Sequence, residues 1–176
     1  MIRVLVDNVY SFDVRLSRKI AYYTGKRLVD KLMRYVSKSG DGHLYAVFGA
    51  LLLVADLGIG SKLIAAGALA FAIELVIQKV VKHLVKRERP GALVQGIRFL
   101  VDPLDRFSFP SGHTAGAFLM ATVIASQYPV WALPLYIWAA LVGFSRVYNG
   151  VHFPTDVVIG CALGLVTARI GLSVVM

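Results

Sequence analysis

Two histidines, His113 and His152, each stand among residues able to handle a phosphate. In "RFSFPSGHTAGAFLM", a charge-free apolar run begins at Thr114, directly behind Pro110, Ser111, Gly112 and His113. Ser111 is placed to cap a helix that starts at Gly112 or His113. The first N–H groups of such a helix lack internal partners and, with the helix dipole, form an anion site. Gly112 has no Cβ to hold an anion away from the backbone. His113, in the first turn, can protonate an oxygen leaving phosphorus.

The second histidine lies in "SRVYNGVHFPTD". Arg146 ends a charge-free run, and His152, Pro154 and Asp156 follow. Pro154 suits the first position of a helix and Asp156 its first turn. A carboxylate four residues after a histidine can accept the proton on one ring nitrogen, which leaves the other free as a nucleophile. Upstream, "KHLVKRERPG" sets Lys82 and Arg89 seven residues apart, about two helical turns, so both can leave one face of a helix that Pro90 ends. A compact ammonium and a planar guanidinium together suit several oxygens of one phosphate. Each cluster also has a plainer reading: a basic juxtamembrane patch with Lys86 and Arg87, an interfacial histidine, a carboxylate at a helix start. Their coincidence in one geometry is what argues for a site.

The elements that must position these residues are set by composition. Of 176 residues, 57% are hydrophobic and 16% charged, and the mean hydropathy of +0.69 is that of a small integral membrane protein. Net charge is +9, which in a membrane protein points to anionic headgroups or phosphates before nucleic acid. A single cysteine, Cys161, in an apolar run excludes a disulfide framework and a thiolate metal site. The first residues lack the uninterrupted apolar stretch and cleavage site of a signal peptide.

Five runs are expected to span as helices: Leu44–Gly60, Lys62–Val81, Thr114–Tyr128, Val130–Phe144 and Thr155–Val175. Residues 44–176 then form one membrane-embedded all-α domain. Residues 1–43 form a basic segment with Leu16, Ile20, Tyr23 and Leu28, Leu32, Tyr35 at helical spacing, read as amphipathic helices in the interface with a break at Gly25; a solvated basic arm is the alternative. If all five runs cross, residues 1–43, 82–113 and 145–154 share one face. Asp56 and Glu74 lie inside spanning runs, where charges are costly. Glu74 either supports the cation cluster from below or is a neutral acid hydrogen-bonded between helices.

The three clusters resemble the motifs of the type 2 phosphatidic acid phosphatase (PAP2) family of membrane phosphatases, whose phosphate site is shared with vanadium haloperoxidases. Lys-x6-Arg-Pro is met by Lys82, Arg89 and Pro90; Pro-Ser-Gly-His by residues 110–113; and Ser-Arg-x5-His-x3-Asp by Ser145, Arg146, His152 and Asp156. Many relatives have six spanning helices. The resemblance implies a helical bundle and a two-step, metal-independent reaction without cofactor. His152 attacks phosphorus with Asp156 orienting it, His113 protonates the leaving oxygen and then activates water, and Lys82, Arg89, Ser111, Gly112 and Arg146 bind the phosphate oxygens.

The expected substrate is a lipid phosphate monoester or diphosphate: phosphatidic acid, phosphatidylglycerol phosphate, a polyprenyl (di)phosphate or a lipid A phosphate. The expected partners are this lipid and the membrane, not nucleic acid. A lipid phosphotransferase using the same phosphohistidine, or a non-catalytic lipid phosphate carrier, are alternatives; binding alone would not need His113, His152 and Asp156 together. On the five-span layout, all Lys and Arg except Lys62 and Arg169 lie on the catalytic side, so the positive-inside rule favours a cytoplasmic site in a cell membrane. The outer-face placement common among bacterial relatives pulls the other way.

Overall fold

The computed structural model of the protein describes every residue except Met1, Asp56 and Leu104, and within helices every side chain but those of Ile2, Arg3, Leu5 and Ala55. Asp56, one of the two carboxylates expected in spanning runs, therefore lies outside the described residues. The chain forms helices α1 (Ile2–Ala21), α2 (Arg27–Ser39), α3 (Gly42–Ala55), α4 (Leu57–Val85), the short α5 (Pro90–Leu93), α6 (Gly112–Gln127), α7 (Ala132–Tyr148) and α8 (Pro154–Val175), with a 3-10 turn at Pro129–Trp131. Among the described residues there is no strand.

The centre of the bundle is α6, packed against α4, α7 and α8. Its apolar residues are mostly small, and Ala115, Ala117 and Ala121 are fully buried. Leu119 and Val123 meet Leu63 and Ala70 of α4 and Ala168 of α8. Ala117 and Ala121 meet Ala139 and Val142 of α7. Small residues let helix backbones approach where lipid gives no hydrophobic drive, so contact itself must hold the helices together. On α8 a Cβ added to Gly164 would run into the carbonyl oxygen of Ala115 and the backbone of Leu119.

Three stretches are long and apolar enough to cross a bilayer: Leu57–Leu93, Pro129–Tyr148 and Pro154–Val175. The five expected crossings are therefore only partly met by length. At 14 and 16 residues, α3 and α6 fall short of the ~20 that a hydrocarbon core asks for. For α6 the reason is its position, since its neighbours rather than lipid enclose it.

Residues 2–39 fold as the two helices α1 and α2, and the expected break at Gly25 is present, with φ at +93°. On α2, Leu28, Leu32 and Tyr35 stay exposed. The opposite face docks on α7, where Asp30 accepts a hydrogen bond from the Tyr148 hydroxyl at 2.7 Å and Ser39 accepts one from the Trp138 indole at 2.9 Å. The end of α4 differs from expectation. The helix stops at Val85, Lys86 turns through φ +50°, and Arg89 is extended ahead of Pro90. Lys82 and Arg89 thus meet through a sharp exit from the helix and not along one helical face. That exit frees the intervening Arg87 to point elsewhere.

Gly164→Ala should cost about 1–3 kcal/mol, because the clash is with backbone that cannot swing aside. A thermal melt in detergent would show it as a lowered midpoint; an unchanged midpoint would contradict the α6–α8 contact.

Candidate active site

Lys82, Arg89, Gly112, His113, Arg146 and His152 line one cleft of about 410 Å³. Four separate segments bring them there: the end of α4, the extended stretch before α5, the start of α6, and the end of α7 with the loop that follows. Ser111 and Asp156 stand behind the wall and are fully buried.

His152 is held tightly. It lies between α7 and α8, and its backbone N–H reaches the Arg146 carbonyl at 3.3 Å. Nε2 sits 3.3 Å from Nη1 of Arg89. A guanidinium only donates, so Nε2 must be the unprotonated nitrogen and the ring proton belongs on Nδ1. Nδ1 faces Asp156 Oδ2 at 3.7 Å, close enough for charge attraction but too long for a hydrogen bond. Oδ2 is instead taken by the Phe153 N–H at 2.7 Å, which ties Asp156 to the start of α8. Pro154 stands in the first turn of that helix as its type predicts. Burial drives the His152 pKa down to about 3; Asp156 opposes the shift, and Arg146 and Arg89 add to it. The ring is neutral at physiological pH, the form a nucleophile requires.

His113 opens α6, and its Nε2 lies 2.8 Å from Asp41 Oδ1. The carboxylate accepts, so Nε2 carries the hydrogen and Nδ1 is left for exchange with a ligand. Burial and then Arg146 lower its pKa to about 4; Asp41 pulls upward and Lys82 pushes further down. Ser111 takes the N-cap position, yet its hydroxyl does not cap. Its Oγ pairs with Thr114 Oγ1 at 2.9 Å, while its N–H binds the Asp156 carbonyl at 3.0 Å. The expected side-chain cap is thus replaced by a bond inside the wall. Gly112 borders the cleft, and the Gln78 side chain occupies the space a Cβ would need.

Sequence spacing missed the partners of the cations. Asp105 receives Lys82 Nζ at 2.6 Å and Arg89 Nη2 at 2.8 Å, while Arg89 Nη1 binds the Val151 carbonyl at 2.7 Å. Burial raises the Asp105 carboxyl, but Lys82 and Arg89 outweigh it and hold it below the ordinary carboxylate range. Arg146 Nη1 donates to Ser37 of α2 at 2.5 Å. Arg87, grouped with a surface patch on sequence grounds, bridges Asp156 Oδ1 at 2.7 Å and Asp13 Oδ2 of α1 at 2.5 Å. Asp13 also accepts the Thr155 N–H at 3.0 Å and its hydroxyl. Chemically, the cleft offers a charge-rich anion pocket, an unprotonated imidazole nitrogen inside it, and a second imidazole able to move a proton.

Residues 62–176 match the PAP2 superfamily. An undecaprenyl-diphosphatase of Sulfolobus acidocaldarius is 33% identical over 156 residues, 87% of this chain and 73% of that protein. The crystal structure of Aquifex aeolicus LpxE superposes with a TM-score of 0.76 at 29% identity, covering 90% of this chain and 93% of the other. A PAP2-type phosphatidylglycerolphosphate phosphatase from Bacillus subtilis gives 0.77 at 27% identity, covering 95% and 86%. Motifs, helical bundle and family match agree: the chain belongs to the PAP2 superfamily of membrane phosphatases.

Proposed function

We propose that this protein hydrolyses a lipid phosphate monoester or diphosphate through a phosphohistidine. The observation that carries the reading is His152 Nε2, unprotonated and buried against Arg89 in a cleft that also presents Lys82, Arg146 and His113. In the first step Nε2 forms a bond to phosphorus as the bond to the lipid oxygen breaks, and His113 gives that oxygen a proton. Asp156 stabilises the positive ring, and Lys82, Arg89, Arg146 and the N–H groups at the start of α6 follow the charge on the phosphate oxygens, with buried Ser111 fixing that start. In the second step water attacks phosphorus, loses a proton to His113, and inorganic phosphate leaves with His152 restored.

Burial and the neighbouring cations hold His113 neutral, so its proton must arrive with the substrate. Arg146 and Lys82 are among the groups that depress it. A phosphate dianion offsets both cations and returns the ring toward protonation. Asp41 works in the same direction.

The lipid character rests on a second groove. Beside the cleft lies an almost wholly apolar channel of about 370 Å³ between α3, α4 and α6, and the two share Tyr45 and Phe71. A tail lying there keeps its phosphate at the cations. Residues 1–43 are read as the basic interfacial part and 44–176 as the catalytic part, with the cleft on the cytoplasmic face by charge bias. The reaction proposed needs no metal, because the cations and the two imidazoles supply charge stabilisation, nucleophile and proton transfer.

His152→Ala should lower phosphate release from a lipid phosphate by roughly 10³-fold or more, and His113→Ala should also stop turnover, both with an unchanged melting profile. Full activity in either would refute its role. Asp41→Asn removes a charge that favours protonated His113, so the alkaline limb of the kcat–pH profile should move to lower pH by roughly one unit; an unmoved limb would disconnect Asp41 from the reaction. Activity should persist in excess EDTA, and a loss reversed by one divalent metal would overturn the metal-free mechanism.

A further inference from the structure

Phe71, Glu74, Gln78 and Lys82 lie on one face of α4 at spacings of three and four residues, and all border the cleft. Lys82 serves the phosphate end and Phe71 opens the apolar channel. Glu74 and Gln78 fill the interval, which is roughly 12 Å of helix between residues 74 and 82. A tail alone needs nothing polar there.

Glu74 is 2% exposed, and its Oε1 has no hydrogen-bond partner among the described residues. Two donors that border the same cleft are engaged elsewhere. The Tyr45 hydroxyl donates to the Gly40 carbonyl at 3.1 Å, and Lys82 is held by Asp105. A carboxyl inside a spanning helix is costly, and one left without a partner is more costly still. An interhelical hydrogen bond would account for it, but none is made to Oε1. A hydroxyl group carried by a ligand in the cleft would supply the donor.

Resting on the phosphatase reading above, we propose that Glu74, with Gln78 beside it, forms a headgroup site that accepts a hydrogen bond from a hydroxyl on the leaving group. The preferred substrate is then a lipid whose scissile phosphate is carried by a polyol or sugar. The leaving oxygen lies at His113, the next carbons pass Gln78, their hydroxyl meets Glu74 Oε1, and the tail continues past Tyr45 and Phe71. A lipid phosphate without that hydroxyl leaves Oε1 buried and unpaired.

The test uses the full chain in mixed micelles with two matched lipids and, as a third substrate, a polyprenyl diphosphate. One is phosphatidylglycerol phosphate. The other has 1,3-propanediol in place of the glycerol bearing the terminal phosphate, so that only the central hydroxyl is missing. The wild type should show a kcat/KM about tenfold higher for the hydroxylated lipid. Glu74→Leu should bring the ratio to about one by slowing that lipid alone, and Glu74→Gln, whose amide oxygen still accepts, should keep it. Equal kcat/KM for both lipids in the wild type would overturn the headgroup site, and that arm depends on no variant folding. Equal slowing of both by Glu74→Leu would overturn it too. Release from a polyprenyl diphosphate but from neither glycerol-type lipid would end this inference alone. Release from none of the three would end the phosphatase reading with it.

Discussion

Four cations, Lys82, Arg87, Arg89 and Arg146, are gathered at one largely buried end of a helical bundle, and each must find oxygen. An ion taken from water without compensation costs several kcal/mol, and like charges brought together add repulsion. The surrounding chain is arranged by that demand. Arg87 reaches across to α1 and α8 for Asp13 and Asp156. Arg146 turns to Ser37 on α2. Lys82 and Arg89 share Asp105 from the long connection, and Arg89 takes a backbone carbonyl as well. The docking of α1 and α2 on the bundle is thus an electrostatic attachment as much as an apolar one.

The same charges set the state of the two imidazoles. Burial with cations close by keeps His152 and His113 neutral, and the carboxylate beside each pulls the other way. The pairing differs in a useful respect. Asp41 makes a direct hydrogen bond to His113, whereas Asp156 stays 3.7 Å from His152 and is anchored by Phe153 and Arg87. The difference suits the roles proposed for the two rings, since an acid that must hold a proton gains from a tight partner. A nucleophile needs only a nearby negative charge for the moment its ring turns positive.

What could be read in the sequence was whatever spacing encodes. Lys82, Arg89, His113, Arg146 and His152 sit at fixed offsets around helix ends, and the structure brings all five to one cleft. The helix starts at Gly112 and Pro154 were legible for the same local reason. Asp13, Asp41 and Asp105 were not, because a carboxylate that meets its cation through the tertiary fold leaves no periodic trace. Spacing alone carries the helix to Pro90 and so places Lys82 and Arg89 on one helical face, which the exit at Lys86 prevents. Nothing in "VKRERP" announces that Lys86 turns to positive φ first. Ser111 shows a limit of another kind: its type fits a cap, yet Thr114 one turn on competes for the same hydroxyl.

The counterions fall into two classes, and exposure separates them. Asp13 and Asp156 are fully buried, so Arg87 keeps its partners whether or not the cleft is filled. The Asp105 side chain is 46% exposed and sits on a connection rather than a helix. Lys82 and Arg89 therefore rest on a carboxylate that can move out to water, while the bridge behind the nucleophile is locked in the wall. Lys82 and Arg89, which share this exposed partner, line the cleft, whereas Arg87 does not. In the proposed reaction a phosphate dianion would offer Lys82 and Arg89 more charge and more acceptors than Asp105 does, and Asp105 would regain hydration on leaving. Asp105 itself holds Lys82 and Arg89 in place at the cleft, while the Arg87–Asp156 pair behind His152 is fixed independently of it.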